Sequence, residues 1–160
     1  MHTYGRIDVV VNNAAYANLS AIEDTDPTDF RAQIDISLFG MVNVSQAVLP
    51  TLRTQGAGRI INVSSVGGRI GTAGLAAYQA AKWAVNGFAQ LLAQEVGPLG
   101  IMVTAIEPGG VQTECAGSSM AVSRSAFPIS PPSAPSQISL NGSAELSAAT
   151  QPSPPRPSYA

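Results

Sequence analysis

The sequence predicts an α/β fold: a partial Rossmann-type parallel sheet of order β-α-β-α-β followed by a disordered C-terminal tail. Three observations carry that reading. Short β-branched apolar runs recur along the chain, each ending in polar or glycine residues, and long segments of helical period separate them. The runs are continuously apolar rather than alternating, which is the pattern of strands buried on both faces, and helical crossovers between strands impose parallel pairing. The third observation is an abrupt change of composition after about Met120.

The first strand is read at residues 7–11, IDVVV, and it ends in Asn12-Asn13. A helix start follows at Thr25-Asp26-Pro27, with a capping side chain, proline in the first turn and Asp29 near the positive end of the helix dipole. Phe30, Ile34, Leu38, Met41, Val44, Val48 and Leu52 then recur at helical spacing, so one long amphipathic helix is expected, ending between Pro50 and Gly56. Residues 59–63, RIINV, read as a second buried strand that delivers Ser64 and Ser65 at its carboxyl end. Beyond a glycine-rich loop at 67–74, a second long helix is expected over 75–96, closed by Gly97-Pro98. A third strand at 101–106 ends in Glu107-Pro108-Gly109-Gly110. These elements make residues 1–120 one domain. Of the last forty residues twenty-five are Pro, Ser or Ala, and only Arg124, Glu145 and Arg156 carry charge. Residues 121–160 therefore read as a tail, because so few large apolar groups do not offset the entropy of ordering.

Composition narrows the functional classes. A net charge of −2 with 11% charged residues offers no basic surface for phosphates, so nucleic acid is not an expected partner. The one cysteine, Cys115, cannot form an internal disulfide. No apolar run reaches the ~18 residues that cross a bilayer, and the N-terminus lacks a signal-peptide pattern, so a cytoplasmic protein without membrane contact is expected. Asn-x-Ser patterns at Asn18, Asn43, Asn62 and Asn141 carry no weight without secretion. The only histidine is His2, which argues against a Ser/His/Asp hydrolase and against a histidine-built metal site; no metal is expected.

The residues that bear chemistry are Tyr78 and Lys82, with Ser65 thirteen positions before the tyrosine. On a helix, side chains four apart share a face. A free tyrosine titrates near pH ~10, and a fixed neighbouring cation stabilises the phenolate, so the pair makes a proton donor for an oxygen. Alone, the same spacing fits an amphipathic surface pair equally well. Ser65 can likewise be a loop hydroxyl capping the next turn, and Asn12 and Asn13 plain strand-end turn formers. The setting adds weight, because parallel α/β sheets bind ligands beyond the carboxyl ends of their strands and all these clusters fall on that one edge.

With NNAA at 12–15, Ser65, Tyr78, Lys82 and PGGVQT at 108–113, the chain resembles the short-chain dehydrogenase/reductase family. The resemblance covers about residues 4–120. It implies hydride transfer between NAD or NADP and a small alcohol or carbonyl, with Tyr78 as general acid/base, Ser65 bonded to the substrate oxygen and Lys82 lowering the tyrosine pKa. It also implies cofactor contacts from Asn12, Ala14, Tyr78, Lys82, Pro108, Gly109 and Thr113. Where the family carries an Asn-x-x-Gly stretch whose backbone carbonyl helps water reach the lysine, this chain has Ser37-Leu38-Phe39-Gly40, so Ser37 takes that position by its carbonyl. Ala15 stands where the family usually has glycine.

The family's opening strand, its G-x-x-x-G-x-G turn and the pyrophosphate-binding helix are not in the sequence, so the expectation is an N-terminally truncated reductase. Right-handed crossovers stepping one way put both helices on one face of the sheet. The opposite face is then bare, with the first strand as an open edge. Residues 1–160 are expected not to bind NAD(H) or NADP(H) with ordinary affinity. A homo-oligomer through the two long helices, and a non-catalytic fragment that pairs with an intact homologue, are the other expectations.

Overall fold

The computed structural model describes residues 4–109 and the pair Ala121–Val122; Gly110, Thr113, Cys115 and the rest of the segment read as a tail lie outside the described residues. In chain order the elements are β1 (Val9–Asn12), the two-residue β2 (Asn18–Leu19), α1 (Pro27–Ile34), α2 (Gly40–Gln55), β3 (Gly58–Val63), α3 (Ala76–Val96), β4 (Ile101–Ile106) and the two-residue β5 (Ala121–Val122). The sheet is parallel in the order β1-β3-β4, with Asn12 opposite Asn62 and Val63 opposite Ile106. The β-α-β-α-β architecture is therefore the one expected. Short β2 pairs in parallel with β5, a second sheet that the composition did not signal and that takes up the first two residues of the segment read as a tail.

Both helices lie on one face of the sheet. Leu52 from α2, Ile60 from β3, Leu92 and Val96 from α3 and Ile101 from β4 form one buried cluster, with Val48, Leu49, Phe88 and Val103 packed against it. On the other face the side chains alternate outward, and Val9, Val11, Met102 and Ile106 stand 49%, 58%, 50% and 45% exposed. The edge expected at the first strand is β1. Among the described residues, no helix is long and apolar enough to cross a membrane.

The long helix departs from its expected form. Asp26 caps its start, accepting the Thr28 N–H at 2.7 Å, and Pro27 occupies the first turn. Gly56 ends it in the left-handed conformation at φ 66°, which only glycine adopts without cost. Between α1 and α2 the helix widens into a π turn over Asp35–Phe39, where the Gly40 N–H reaches back to the Asp35 carbonyl. The fully buried side chains along it are Gln33, Ser37, Met41, Ser45 and Leu52; of the apolar set counted along the sequence Met41 and Leu52 are among them, Phe30, Ile34, Leu38 and Val48 are half-buried, and Val44 is 41% exposed. The π turn keeps this four-residue spacing in line, which brings the polar Gln33, Ser37 and Ser45 into the buried row between the apolar positions.

A polar hub fixes the start of this helix. Asp29 accepts hydrogen bonds from Asn18 Nδ2 at 2.8 Å, Gln33 Nε2 at 2.9 Å and the Tyr16 hydroxyl at 3.3 Å. Burial, and then the Asp29 charge, hold the Tyr16 phenol above its ordinary pKa. The hub ties the segment after β1 to α1, and so sets how the β1 carboxyl end meets the helix.

Candidate active site

All the sequence-chosen residues within the described region sit at the carboxyl edge of the sheet or on the helices that flank it. α3 brings Lys82 to the end of β3: the residue is 3% exposed, and its ammonium donates to the Val63 carbonyl at 2.7 Å and stands 5.7 Å from the centre of the Tyr78 ring. Tyr78 is half-buried and packs against Ala17, Leu19 and Leu75. Thus the i,i+4 pair is not a surface pair. A buried ammonium needs charge-dipole partners to stay charged, and the Val63 carbonyl supplies one of them.

Ser65 leaves β3 in extended conformation, and its Oγ accepts the Gly67 N–H at 3.1 Å, capping a one-turn 3₁₀ helix over Val66–Gly68. The capping role and a substrate role are compatible here. Accepting one bond fixes the oxygen and leaves the hydroxyl hydrogen to donate elsewhere. Its neighbour Ser64 is buried and donates instead to the Lys82 backbone carbonyl at 3.2 Å, so it serves as a brace between β3 and α3.

Asn12, Ala14 and Ser37 come together along a cleft of about 260 Å³, whose walls also include Asn13, Gly40, Met41, Val63 and Val85. Asn12 Nδ2 donates to Asn62 Oδ1 at 2.8 Å, pairing the two strand ends side chain to side chain. Ser37 lies in the π turn and is 4% exposed, with no hydrogen-bond partner for its Oγ. Pro108 reaches the Ser65 turn through its carbonyl, which accepts the Val66 N–H at 3.0 Å. Gly109 is exposed, and a side chain built on it would meet nothing within 4 Å. Thr113 is among the residues outside the described region.

Three contributors escaped the sequence reading. Asn86 donates from Nδ2 to the Gly68 carbonyl at 3.2 Å and is 8% exposed. It follows Lys82 by four residues, so the same helical spacing that linked Tyr78 to Lys82 would have found it. Gln79 Oε1 accepts the Thr72 N–H at 2.6 Å, holding the loop before α3. Arg69 pairs with Glu107 across the edge, a contact between residues 38 apart that no local pattern signals.

Comparison with known proteins gives the family and the fold. The profile of the short chain dehydrogenase family matches residues 1–122. An oxidoreductase of Botryotinia fuckeliana, Oxidoreductase BOA17, is 61% identical over 119 residues, which cover 74% of this chain and 43% of that protein. Among solved structures, an NAD+-bound xylitol dehydrogenase superposes with a TM-score of 0.65 at 34% identity, over 66% of this chain and 41% of the other. A gluconate 5-dehydrogenase from Burkholderia cenocepacia, in complex with NADP and tartrate, gives a TM-score of 0.70 at 31% identity, over 72% of this chain and 46% of the other. The chain spans less than half the length of each of these three proteins.

Proposed function

Since the chain belongs to the short chain dehydrogenase family, we propose that it carries the proton-handling part of a nicotinamide-dependent alcohol/carbonyl oxidoreductase, with Tyr78 as the acid/base. One observation supports this most directly: the buried Lys82 ammonium, fixed to the Val63 carbonyl, lies beside the Tyr78 ring.

In carbonyl reduction Tyr78 gives its phenolic proton to the substrate oxygen, and in alcohol oxidation it takes that proton back. Lys82 stabilises the phenolate left behind, because an opposite charge nearby favours the ionised form. Ser65, its oxygen held by the Gly67 N–H, donates its hydroxyl hydrogen to the same substrate oxygen and stabilises the charge that develops there. Ser37 sits in the π turn over the cleft with Asn12 and Ala14, where its backbone carbonyl takes the water-holding place of the family's asparagine.

The residues fit the nicotinamide end of a dinucleotide. The open space at Gly109, the Asn12 and Ala14 cleft and the Lys82 ammonium are the groups that would hold it, with Pro108 next to Gly109 in the chain; the family resemblance adds Thr113, which lies outside the described residues. The bound nicotinamide supplies or accepts the hydride. The sequence contains no G-x-x-x-G-x-G run, so the pyrophosphate is not held by such a turn from these 160 residues. Replacing Tyr78 with Phe tests the reading in carbonyl reduction with NADH and NADPH: activity should fall at unchanged far-UV circular dichroism, and a Tyr78→Phe protein that reduces carbonyls at the original rate overturns it.

A second reading has its own support. Phe39, Trp83 and Leu91, on the helical segment from α1 to α2 and on α3, are 51%, 54% and 62% exposed. Large apolar groups placed so fit a fragment that pairs through its helices with a second copy or an intact homologue. Size-exclusion chromatography with and without an intact homologue separates the two readings, because only pairing shifts the elution volume.

A further inference from the structure

We propose that Arg69 and Glu107 form a positioning latch that fixes the Ser65 turn against the Pro108-Gly109 loop; the proposal rests on the oxidoreductase reading for its catalytic consequence. Three ties join these two strand-end segments. Two are backbone bonds that continue the parallel pairing beyond β3 and β4: the Ser64 N–H to the Ile106 carbonyl at 2.7 Å, and the Val66 N–H to the Pro108 carbonyl at 3.0 Å. The third is the ion pair from Arg69 Nε to Glu107 Oε2.

The ties close a ring. Arg69 ends the 3₁₀ turn that Ser65 begins, and its own N–H donates to the Val66 carbonyl at 2.9 Å. Glu107 precedes Pro108, and a residue before proline is confined to extended backbone, so its Cα–Cβ bond leaves the chain in a set direction. The Glu107 side chain is 22% exposed against 61% for Arg69, so the carboxylate is partly withdrawn from water and the guanidinium is its counter-charge. Hydrogen bonding to Glu107, and then its charge, raise the Arg69 pKa above the ordinary value.

The consequence is one of distance. Ser65 addresses the substrate oxygen and Gly109 the nicotinamide side, so hydride transfer requires the two segments at a fixed separation. A slack of ~1 Å in such an arrangement costs about 10²-fold in rate.

Amide hydrogen exchange at Val66 in the full chain tests the latch without any ligand. Glu107→Gln and Arg69→Gln should each speed exchange by about two- to fivefold, the range expected of a partly exposed pair. The charge reversal Arg69→Glu with Glu107→Arg should bring it back to within about twofold of the original. In the unmodified protein, raising NaCl from ~0.02 to ~0.5 M should speed exchange toward the variants' rate, because salt screens the pair, while both single variants stay flat. Unchanged exchange in the single variants, or a salt-insensitive original protein, overturns the proposal, and the salt series needs no variant to fold. Where turnover with NADPH and cyclohexanone is measurable, Glu107→Gln should lower kcat more than it changes KM, and the reverse pattern also counts against the latch. Tyr78→Phe should leave Val66 exchange unaltered, so loss of the acid/base reading and loss of the latch are told apart.

Discussion

Gly68 shows how tightly single residues are set at this edge. A side chain there would stand 2.7 Å from Asn86 Nδ2, 2.9 Å from the Lys82 carbonyl and 3.0 Å from Ser64 Oγ. Strand end, turn and helix α3 therefore meet at a point with no room for a methyl group. Gly68→Ala should destabilise the protein by about 1–3 kcal/mol, as overpacking does. The denaturant midpoint measures it, with Gly71→Ala as the control, since a side chain at Gly71 meets nothing within 4 Å. For Tyr78→Phe the expected loss is about 10²–10⁴-fold in kcat, the usual contribution of a positioned acid/base. Tyr78 and Lys82 were legible in the sequence because helical geometry alone brings i and i+4 together. Arg69 and Glu107 were not, because their contact depends on the pairing of β3 with β4. Asn62 shows the same limit: it is fully buried and its Oδ1 accepts from Asn12 Nδ2, a pairing between strands that nothing local in RIINV signals.

Among the elements, existence was easier to read than orientation. Asp26 and Pro27 marked the start of the long helix, and the stretch from Pro50 to Gly56 bracketed its end, which falls at Gly56 with Pro50 inside the helix, since caps and stops are local chemistry. Its buried face was legible only in its apolar members such as Met41 and Leu52, because hydropathy cannot register two buried serines. The Asp26 cap gives a pH prediction. Hydrogen bonds from the Thr28 hydroxyl and N–H hold this carboxyl below the ordinary aspartate value. A carboxyl whose folded pKa is depressed contributes stability above its unfolded value of ~3.9 and loses it as pH falls through the lower folded value. Thermal melts between about pH 5 and 2 should therefore fall less steeply for Asp26→Asn than for the original protein. The Asp29 hub carries a larger stake. Removing its carboxylate strands the Gln33 amide, a residue 1% exposed, so Asp29→Ala should cost about 1–3 kcal/mol by chemical denaturation.

At the scale of the whole molecule, sheet order and the placement of both helices followed from connection rules applied to the sequence, and the bare face followed with them. The β2–β5 pair did not, since two-residue strands carry no periodic signal. The bare face predicts behaviour for residues 1–160 as a polypeptide. It should bind an apolar dye and associate with rising concentration in sedimentation experiments, and Val11→Lys, at a 58% exposed position, should weaken both without lowering stability. Calorimetric titration with NADH should show no micromolar binding, and a micromolar constant would mean that the phosphates are held by other groups. The π turn, finally, makes the molecule unequal in its tolerance of small deletions. It takes up one residue more than a regular helical turn, since the Gly40 N–H bonds to the carbonyl five residues back rather than four. Deleting Ile36 would let this turn close into regular α-helix with α1 and α2 keeping nearly their present phase, so Leu52 would still meet its partners in the core while the Asp29 hub stayed in place. The same deletion inside α2 meets no such slack and turns the rest of that helix by about 100° against the sheet. A single lost codon is therefore absorbed at the π turn and felt throughout the core one turn later.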